Sequence, residues 1–180
     1  MEKEDARILV HCCCGPCSTS SVERLLSEGL IPVLFFSNSN IYPAAEFDKR
    51  YGGLLTVAGF YGLEVIREEQ DHAAWLRAVA GHEAEAEGGG RCSICFRYNL
   101  ERACLKAREL GIPRFCTTLT VSRFKKSAMI FSAASGLGGF QEWDFKKKDG
   151  FNRSIQLSKE LELYRQDYCG CEFSMRGRGK

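Results

Sequence analysis

The chain has 180 residues, 44% of them hydrophobic and 27% charged, with a formal net charge of +2. That is enough chain for one domain with a substantial core, and a single domain over residues 1–180 is expected. So small a net charge excludes nucleic-acid binding driven by bulk charge alone, and no apolar run reaches the length of a transmembrane helix. Met1-Glu2-Lys3-Glu4-Asp5-Ala6 is charged and residues 7–10 are too short for a signal-peptide core, so the chain reads as cytoplasmic, with no membrane partner. Ten cysteines are many for this length, yet their spacing is not that of a small disulfide scaffold. In a reducing compartment, clustered cysteines read as metal ligands or catalytic thiols.

Residues 8–10 read as a short buried strand, and residues 18–28 as a helix capped by Ser18 and stopped at Gly29. Between them lies His11-Cys12-Cys13-Cys14-Gly15-Pro16-Cys17, a strand-to-helix turn with four cysteines in six positions. Packing does not ask for four thiols in a turn. Such a turn sits at the carboxyl edge of a sheet beside a helix N-terminus, a place that lowers thiol pKa and favours anionic ligands. Residues 31–36 form a second strand, which completes a βαβ unit and predicts an α/β fold with a parallel sheet flanked by helices. The polar loop 37–43 follows, then a helix over 44–59, a third strand over 64–66 and a helix over 72–79. Residues 83–90 end in three glycines and read as a mobile loop. A long helix from Arg91 to about Leu110, a strand over 114–117, and helices over 127–135 and 154–163 complete the chain, the last capped by Ser154.

Cys92 and Cys95 form a C-x-x-C at the start of a helix, a spacing that puts both sulfurs on one side of the turn. Two cysteines from here and two from the first cluster make a four-thiolate site. Zinc, an iron–sulfur cluster and a dithiol pair all fit four thiolates. The adjacent cysteines 12–14 suit a zinc knuckle poorly and favour iron–sulfur. Cys169-Gly170-Cys171 is a separate signal, because two cysteines one residue apart form only a strained, easily reduced disulfide. It reads as a redox-active dithiol, a further ligand pair, or chance adjacency in a flexible tail. Cys104 and Cys116 read as core residues. His11 is either a metal ligand, a donor to a cluster sulfide or a hydrogen-bonded strand-end residue. Arg123, Lys125, Lys126, Lys146, Lys147, Lys148, Arg153, Arg176 and Arg178, interleaved with Phe124, Phe145, Phe151, Tyr164 and Tyr168, read as a nucleic-acid face or a solvated one.

In this order these landmarks resemble one family, the cobalamin-independent epoxyqueuosine reductases, or QueH family. The resemblance rests on residues 11–17, on Asn38-Ser39-Asn40-Ile41-Tyr42-Pro43 with Glu46 and Arg50, and on Cys92-Ser93-Ile94-Cys95 with Arg97. It continues through Thr117-Thr118-Leu119 with Ser122 and Lys125, and through the closing blocks 144–150 and 163–171. The resemblance implies an adenine nucleotide α-hydrolase-like (HUP-type) fold. It also implies reduction of epoxyqueuosine to queuosine at the wobble position of a tRNA with a GUN anticodon, by two-electron removal of the epoxide oxygen. Carried onto this chain, the 4Fe-4S cluster ligands fall on Cys13, Cys14, Cys92 and Cys95. The redox-active pair falls on Cys169 and Cys171, and Cys17 falls where it reaches an additional mononuclear iron. His11, Asn38, Asn40, Arg97, Lys125, Lys147 and Tyr168 become candidate substrate contacts, and an external electron donor is required. The chain departs from the family pattern in three respects. Cys12 occupies a variable position and is an extra thiol, Gly15 replaces alanine in what reads as a mild change, and Ser39 and Arg123 stand where proline is common. A zinc-stabilised RNA-binding module is the competing reading. An ATP-using enzyme ranks below it, because the turn that would cradle phosphates is filled with cysteines.

Overall fold

The structure, a computed structural model, describes residues 6–175. Arg176 and Arg178, and the charged residues 1–5, lie outside the described residues. Four strands form one parallel sheet: β1 (Arg7–His11), β2 (Ile31–Phe36), β3 (Val65–Arg67) and β4 (Phe115–Thr117). Their order is β3-β2-β1-β4. Leu9 is the register point of the centre, opposite Val33 on one side and Phe115 on the other. The two central strands read as unbroken apolar runs because helices cover both faces of the sheet, which also explains why neither alternates with polar residues.

The strand period of two sorts the core. Ile8, Val10, Leu34 and Phe36 point to one face and pack with Val22 and Leu25 of α1 (Gly15–Ser27) and with Phe47, Leu54 and Ala58 of α2 (Ala44–Tyr61). Leu9, Val33, Phe35 and Phe115 point to the other, against Phe96, Leu100 and Ala103 of α4 (Gly90–Glu109) and Ile130 of α5 (Ser127–Ala133). A smaller cluster joins Trp75 of α3 (His72–Ala78) to Val79 and Cys171, with Cys95 and Phe173 packed against it. Helix α6 (Gly150–Glu160) lies on α1, and a short α7 (Glu172–Met175) ends the described chain. Among the described residues no helix is long and apolar enough to cross a membrane.

Two helix starts differ from expectation. Helix α1 begins at Gly15, with Pro16 in its first turn and Cys14 at the N-cap position. Ser18 is therefore interior, and its hydroxyl donates back to the Cys14 carbonyl at 2.8 Å. Helix α6 begins at Gly150, so Ser154 is also interior and donates to Phe151 O at 2.7 Å. Lys148 and Asp149 turn the chain through the left-handed region (φ 54° and 60°), and a Cβ on Gly150 would stand 1.8 Å from Phe145 O. Segment 83–90, expected as a loose loop, is a turn tied by buried Arg91. The Arg91 guanidinium donates to the carbonyls of His82, Glu83 and Glu85, while the Glu85 carboxylate accepts the Arg91 N–H at 2.6 Å.

The connections β1-α1-β2-α2-β3 step one way across the sheet, and α4 carries the chain back to lay β4 on the other side of β1. The strand order thus reverses between β1 and β4. The crevice at the carboxyl ends of those two strands is where a fold of this class binds its ligands.

A thiol-lined candidate active site at the switch point

β1 ends at His11, but its pairing runs one residue further, since the Cys12 N–H donates to Phe35 O at 2.8 Å. Period-two alternation therefore sends Cys12 down with Ile8 and Val10. It is fully buried in the core, its thiol donating to Val10 O at 3.2 Å. The sulfurs of Cys13, Cys14 and Cys17 instead lie within 4.8 Å of one another at the start of α1. The free N–H groups of that helix end face them, and no acidic side chain occupies its first turn. Gly15 is what lets the turn pass beneath α2, because a Cβ there would lie 2.4 Å from Gly53 O. The departure from alanine at this position is thus not mild: the two helices meet backbone to backbone.

Three thiols so close do not ionise together. Cys14 is held well below the ordinary thiol range by hydrogen bonds from Cys13 and Cys17, with a further one from Gln166 Nε2 at 2.9 Å. Giving its proton toward Cys14 pushes Cys13 up to about 12, and Cys17 is raised for the same reason. Cys13 also meets β4's end, its N–H donating to Thr118 Oγ1 at 3.3 Å and its sulfur 3.5 Å from that hydroxyl.

The second pair stands at the start of α4. Cys92 accepts the Gly88 N–H at 3.2 Å, and Cys95 accepts the Asn99 amide at 3.7 Å. The buried Trp75 indole N–H lies against Cys95 and has no oxygen or nitrogen acceptor. Burial raises both thiols.

Cys169-Gly170-Cys171 is a clamped segment, not a loose tail. The guanidinium of Arg50, itself 2% exposed, donates to Cys169 O at 3.0 Å and Tyr168 O at 3.2 Å while pairing with Glu46 at 2.7 Å. The Tyr42 N–H donates to Gly170 O at 2.8 Å, and the Tyr168 hydroxyl to Tyr42 O at 2.7 Å. Gly170 has φ +118°, and a Cβ on it would meet Arg50 Nη1 at 2.9 Å. All ten cysteines are free thiols.

One cavity of about 520 Å³ opens over these groups. Cys13, Cys17, Cys95 and Cys169 line it, so three distant stretches of chain deliver sulfur to one space. Asn38, Asn40, Lys125 and Tyr168, expected at a substrate site, line it as well. Asn38 is fixed by donating to Cys12 O at 2.8 Å, and Asn40 Oδ1 by accepting from Asn99 at 3.0 Å. Burial pulls the Lys125 ammonium down, but the thiols of Cys169, Cys13 and Cys17 outweigh it, and the group holds its proton more tightly than a free lysine.

Three expected contacts lie elsewhere. His11 is fully buried beneath the site: its Nε2–H donates to Ser37 O at 3.0 Å and Nδ1 accepts from the Thr117 hydroxyl at 2.9 Å. Burial lowers its pKa to about 4, so it is neutral and fully occupied, the strand-end reading of this residue. Arg97 faces away, paired with Glu101 at 2.5 Å and donating to Ala133 O and Ser135 O, where it ties α4 to α5. Lys147 is exposed in the turn before α6 and does not line the cavity. Sequence reasoning missed Asn99, Trp75 and Gln166. Asn99 was findable, because it stands one helical turn beyond Cys95 and so on the same face. Trp75 and Gln166 reach the sulfurs through tertiary folding alone.

Residues 8–177 match the family model described as epoxyqueuosine reductase QueH. A protein of that name from Streptococcus pyogenes is 39% identical over 191 residues, covering 99% of this chain and 74% of the relative. The one from Acinetobacter baylyi is 36% identical, with 94% and 81% covered, and the one from Thermotoga maritima is 33% identical, with 95% and 91% covered. Matched along nearly its whole length, the chain belongs to the epoxyqueuosine reductase QueH family of oxidoreductases.

Proposed function

We propose that the chain reduces epoxyqueuosine to queuosine at the wobble position of a tRNA with a GUN anticodon, in the cytoplasm, using a 4Fe-4S cluster. The observation that supports the reading is that Cys13, Cys17, Cys95 and Cys169, from three distant stretches of chain, line one cavity at the switch point, with Cys14 beside the first two. The donor set fits such a group. It is all sulfur, the cysteines are free thiols, buried or half-buried, and N–H donors that do not themselves ligate already point at Cys14, Cys92 and Cys95. Cys13, Cys14, Cys92 and Cys95 would hold the cluster, and Cys17 would be free to reach an additional mononuclear iron. When bound, the cluster would supply one-electron transfer.

The chain's own groups supply the rest. Loss of the epoxide oxygen as water takes two electrons and two protons. Cys169 and Cys171 can provide both by joining in a disulfide, which an external electron donor then reopens. Arg50 holds Cys169 at the cavity through its backbone carbonyl. Lys125 keeps a positive charge where the oxygen leaves, and so stabilises the negative charge that develops on it. Asn99 Oδ1 and Gln166 Oε1 are buried acceptors without partners on the cavity wall, placed to receive the donors of a polar nucleoside. The basic residues of the C-terminal third would meet the tRNA phosphates.

The test is anaerobic purification with iron, sulfide and zinc analysis, a visible spectrum before and after dithionite, and an assay on epoxyqueuosine tRNA. A brown protein with about four irons per chain or slightly more, bleached by dithionite, is expected. Cys92→Ser should lose both colour and activity, whereas Cys169→Ser should keep the colour and lose turnover. A colourless protein holding one zinc would overturn the reading in favour of a zinc-stabilised RNA-binding module.

A further inference from the structure

At the mouth of the cavity stands a side chain that the reaction does not need. Phe124 is 77% exposed, more than any other large apolar residue described, and it lines the rim together with Phe151. The next most exposed, Phe60 and Leu105, belong to α2 and α4 and do not line the cavity. The guanidinium of Arg123 lies 5.0 Å from the Phe124 ring centroid and 5.1 Å from that of Phe151, a planar cation over both rings. The turn beneath is held in place. Phe124 N donates to Ser122 Oγ at 3.3 Å, Lys125 N to Ser122 O at 3.3 Å, and Lys146 Nζ to Lys125 O at 2.5 Å. Six cations lie between residues 123 and 148, and the exposed Lys147 and Lys148 precede Phe151 by only a few residues.

An exposed ring, a stacked arginine and surrounding lysines are the parts of a platform for single-stranded nucleic acid: the rings accept a base face and the cations meet the backbone. A base drawn out of an RNA loop into a cavity leaves its neighbour unstacked, and a replacement face at the rim restores what is lost. We propose that Phe124, braced by Arg123 and Phe151, is the shelf on which an unpaired loop base next to the nucleotide in the cavity stacks. This rests on the RNA-substrate reading above and adds to it the residue that grips the loop.

The experiment is fluorescence anisotropy of the anaerobic holoprotein with a labelled anticodon stem-loop carrying guanosine at the wobble position, over a range of salt. Phe124→Ala should raise Kd about 10- to 100-fold, the loss expected for one stacked base, and leave the salt slope unchanged. Phe124→Leu, which keeps apolar bulk and lacks a π face, should bind like the alanine variant. Phe124→Trp should bind like the native chain, and its added fluorescence should be quenched on binding. Lys147→Ala should instead lower the salt slope by about one. Phe124→Ala or Phe124→Leu binding within twofold of the native chain, or an unquenched Phe124→Trp, overturns the shelf and leaves the RNA reading standing. If the native holoprotein itself fails to bind the stem-loop, the RNA reading falls and takes the shelf with it.

Discussion

Arg50 joins the fold to the candidate chemistry, so its removal gives the sharpest test of how the Cys169-Gly170-Cys171 segment is held. Arg50→Met keeps most of the buried stem and deletes the guanidinium. Three partners lose their donor: the Glu46 carboxylate at 2.7 Å and the carbonyls of Cys169 and Tyr168 at 3.0 and 3.2 Å. The Glu46 side chain is only 10% exposed and would keep only the Tyr164 hydroxyl, at 3.1 Å. Leaving one partner of a buried ion pair alone costs about 3–5 kcal/mol. At about 2–4 °C per kcal/mol for a chain of this length, the melting temperature should fall by roughly 6–20 °C. The functional consequence is local: with its carbonyl released, Cys169 should alkylate at least tenfold faster, read by peptide mapping of the holoprotein. The double variant Glu46→Gln with Arg50→Met separates the two effects. It removes the stranded charge and should recover part of the stability, yet the alkylation rate should stay high because the Cys169 carbonyl still lacks its donor. A melting temperature within about 2 °C of the native chain, or an unchanged Cys169 rate in Arg50→Met, would refute the clamp.

Gly15→Ala should destabilise the protein by about 1–3 kcal/mol in chemical denaturation, because the atom in the way is the Gly53 carbonyl of a packed helix and cannot swing aside. Cys12→Ala should leave the iron content of the purified protein unchanged while Cys14→Ala lowers it, since only the latter sulfur belongs to the close three-thiol group at the start of α1; equal iron loss in both would contradict the sorting of the cysteine run. Gln166→Leu removes the 2.9 Å N–H···S contact at Cys14. A hydrogen bond to a thiolate favours the more reduced, more negative state. Its loss, about 1 kcal/mol, should lower the midpoint potential of the proposed 4Fe-4S cluster by on the order of 50 mV in a redox titration.

The parts of the fold that could be read from sequence are those where one local rule acts alone. The runs 8–10 and 31–36 announce buried parallel strands because both faces are covered. The helix starts failed where the chain solves the cap without a side-chain oxygen. Cys14 caps α1 with an extended backbone, followed by a proline whose missing N–H has no partner to lose, and α6 starts after two left-handed residues. Serines 18 and 154 looked like caps because the capping rule names their chemistry, yet both spend their hydroxyls inside the helix. The choice among the adjacent cysteines was legible in principle. Cys12 continues the alternation of Ile8 and Val10 while the strand still pairs with β2, so its side chain belongs to the core and Cys13 is the first free to leave the sheet.

What no local rule supplies is the strand order, and much of the site follows from it. β4 could have been added beyond β3; instead it lies against β1, with His11 opposite Thr117. That placement engages the Thr117 hydroxyl with the His11 ring and so keeps from the cavity a histidine whose neighbours in sequence suggested a ligand or substrate contact. It also puts Thr118 beside the Cys13 sulfur and brings Lys125, a few residues on, over the thiols. Arg97 and Lys147 lie off the cavity for the complementary reason. Arg97 belongs to α4 and Lys147 directly precedes α6, both helices that line the cavity, but where each side chain goes depends on packing against α5 or on the left-handed turn before α6. A position on the right element therefore establishes that a side chain is near the chemistry. Whether it takes part is decided by which of its polar atoms the fold has already engaged: both nitrogens of His11 are engaged, whereas no intraprotein hydrogen bond reaches Asn99 Oδ1 or Gln166 Oε1.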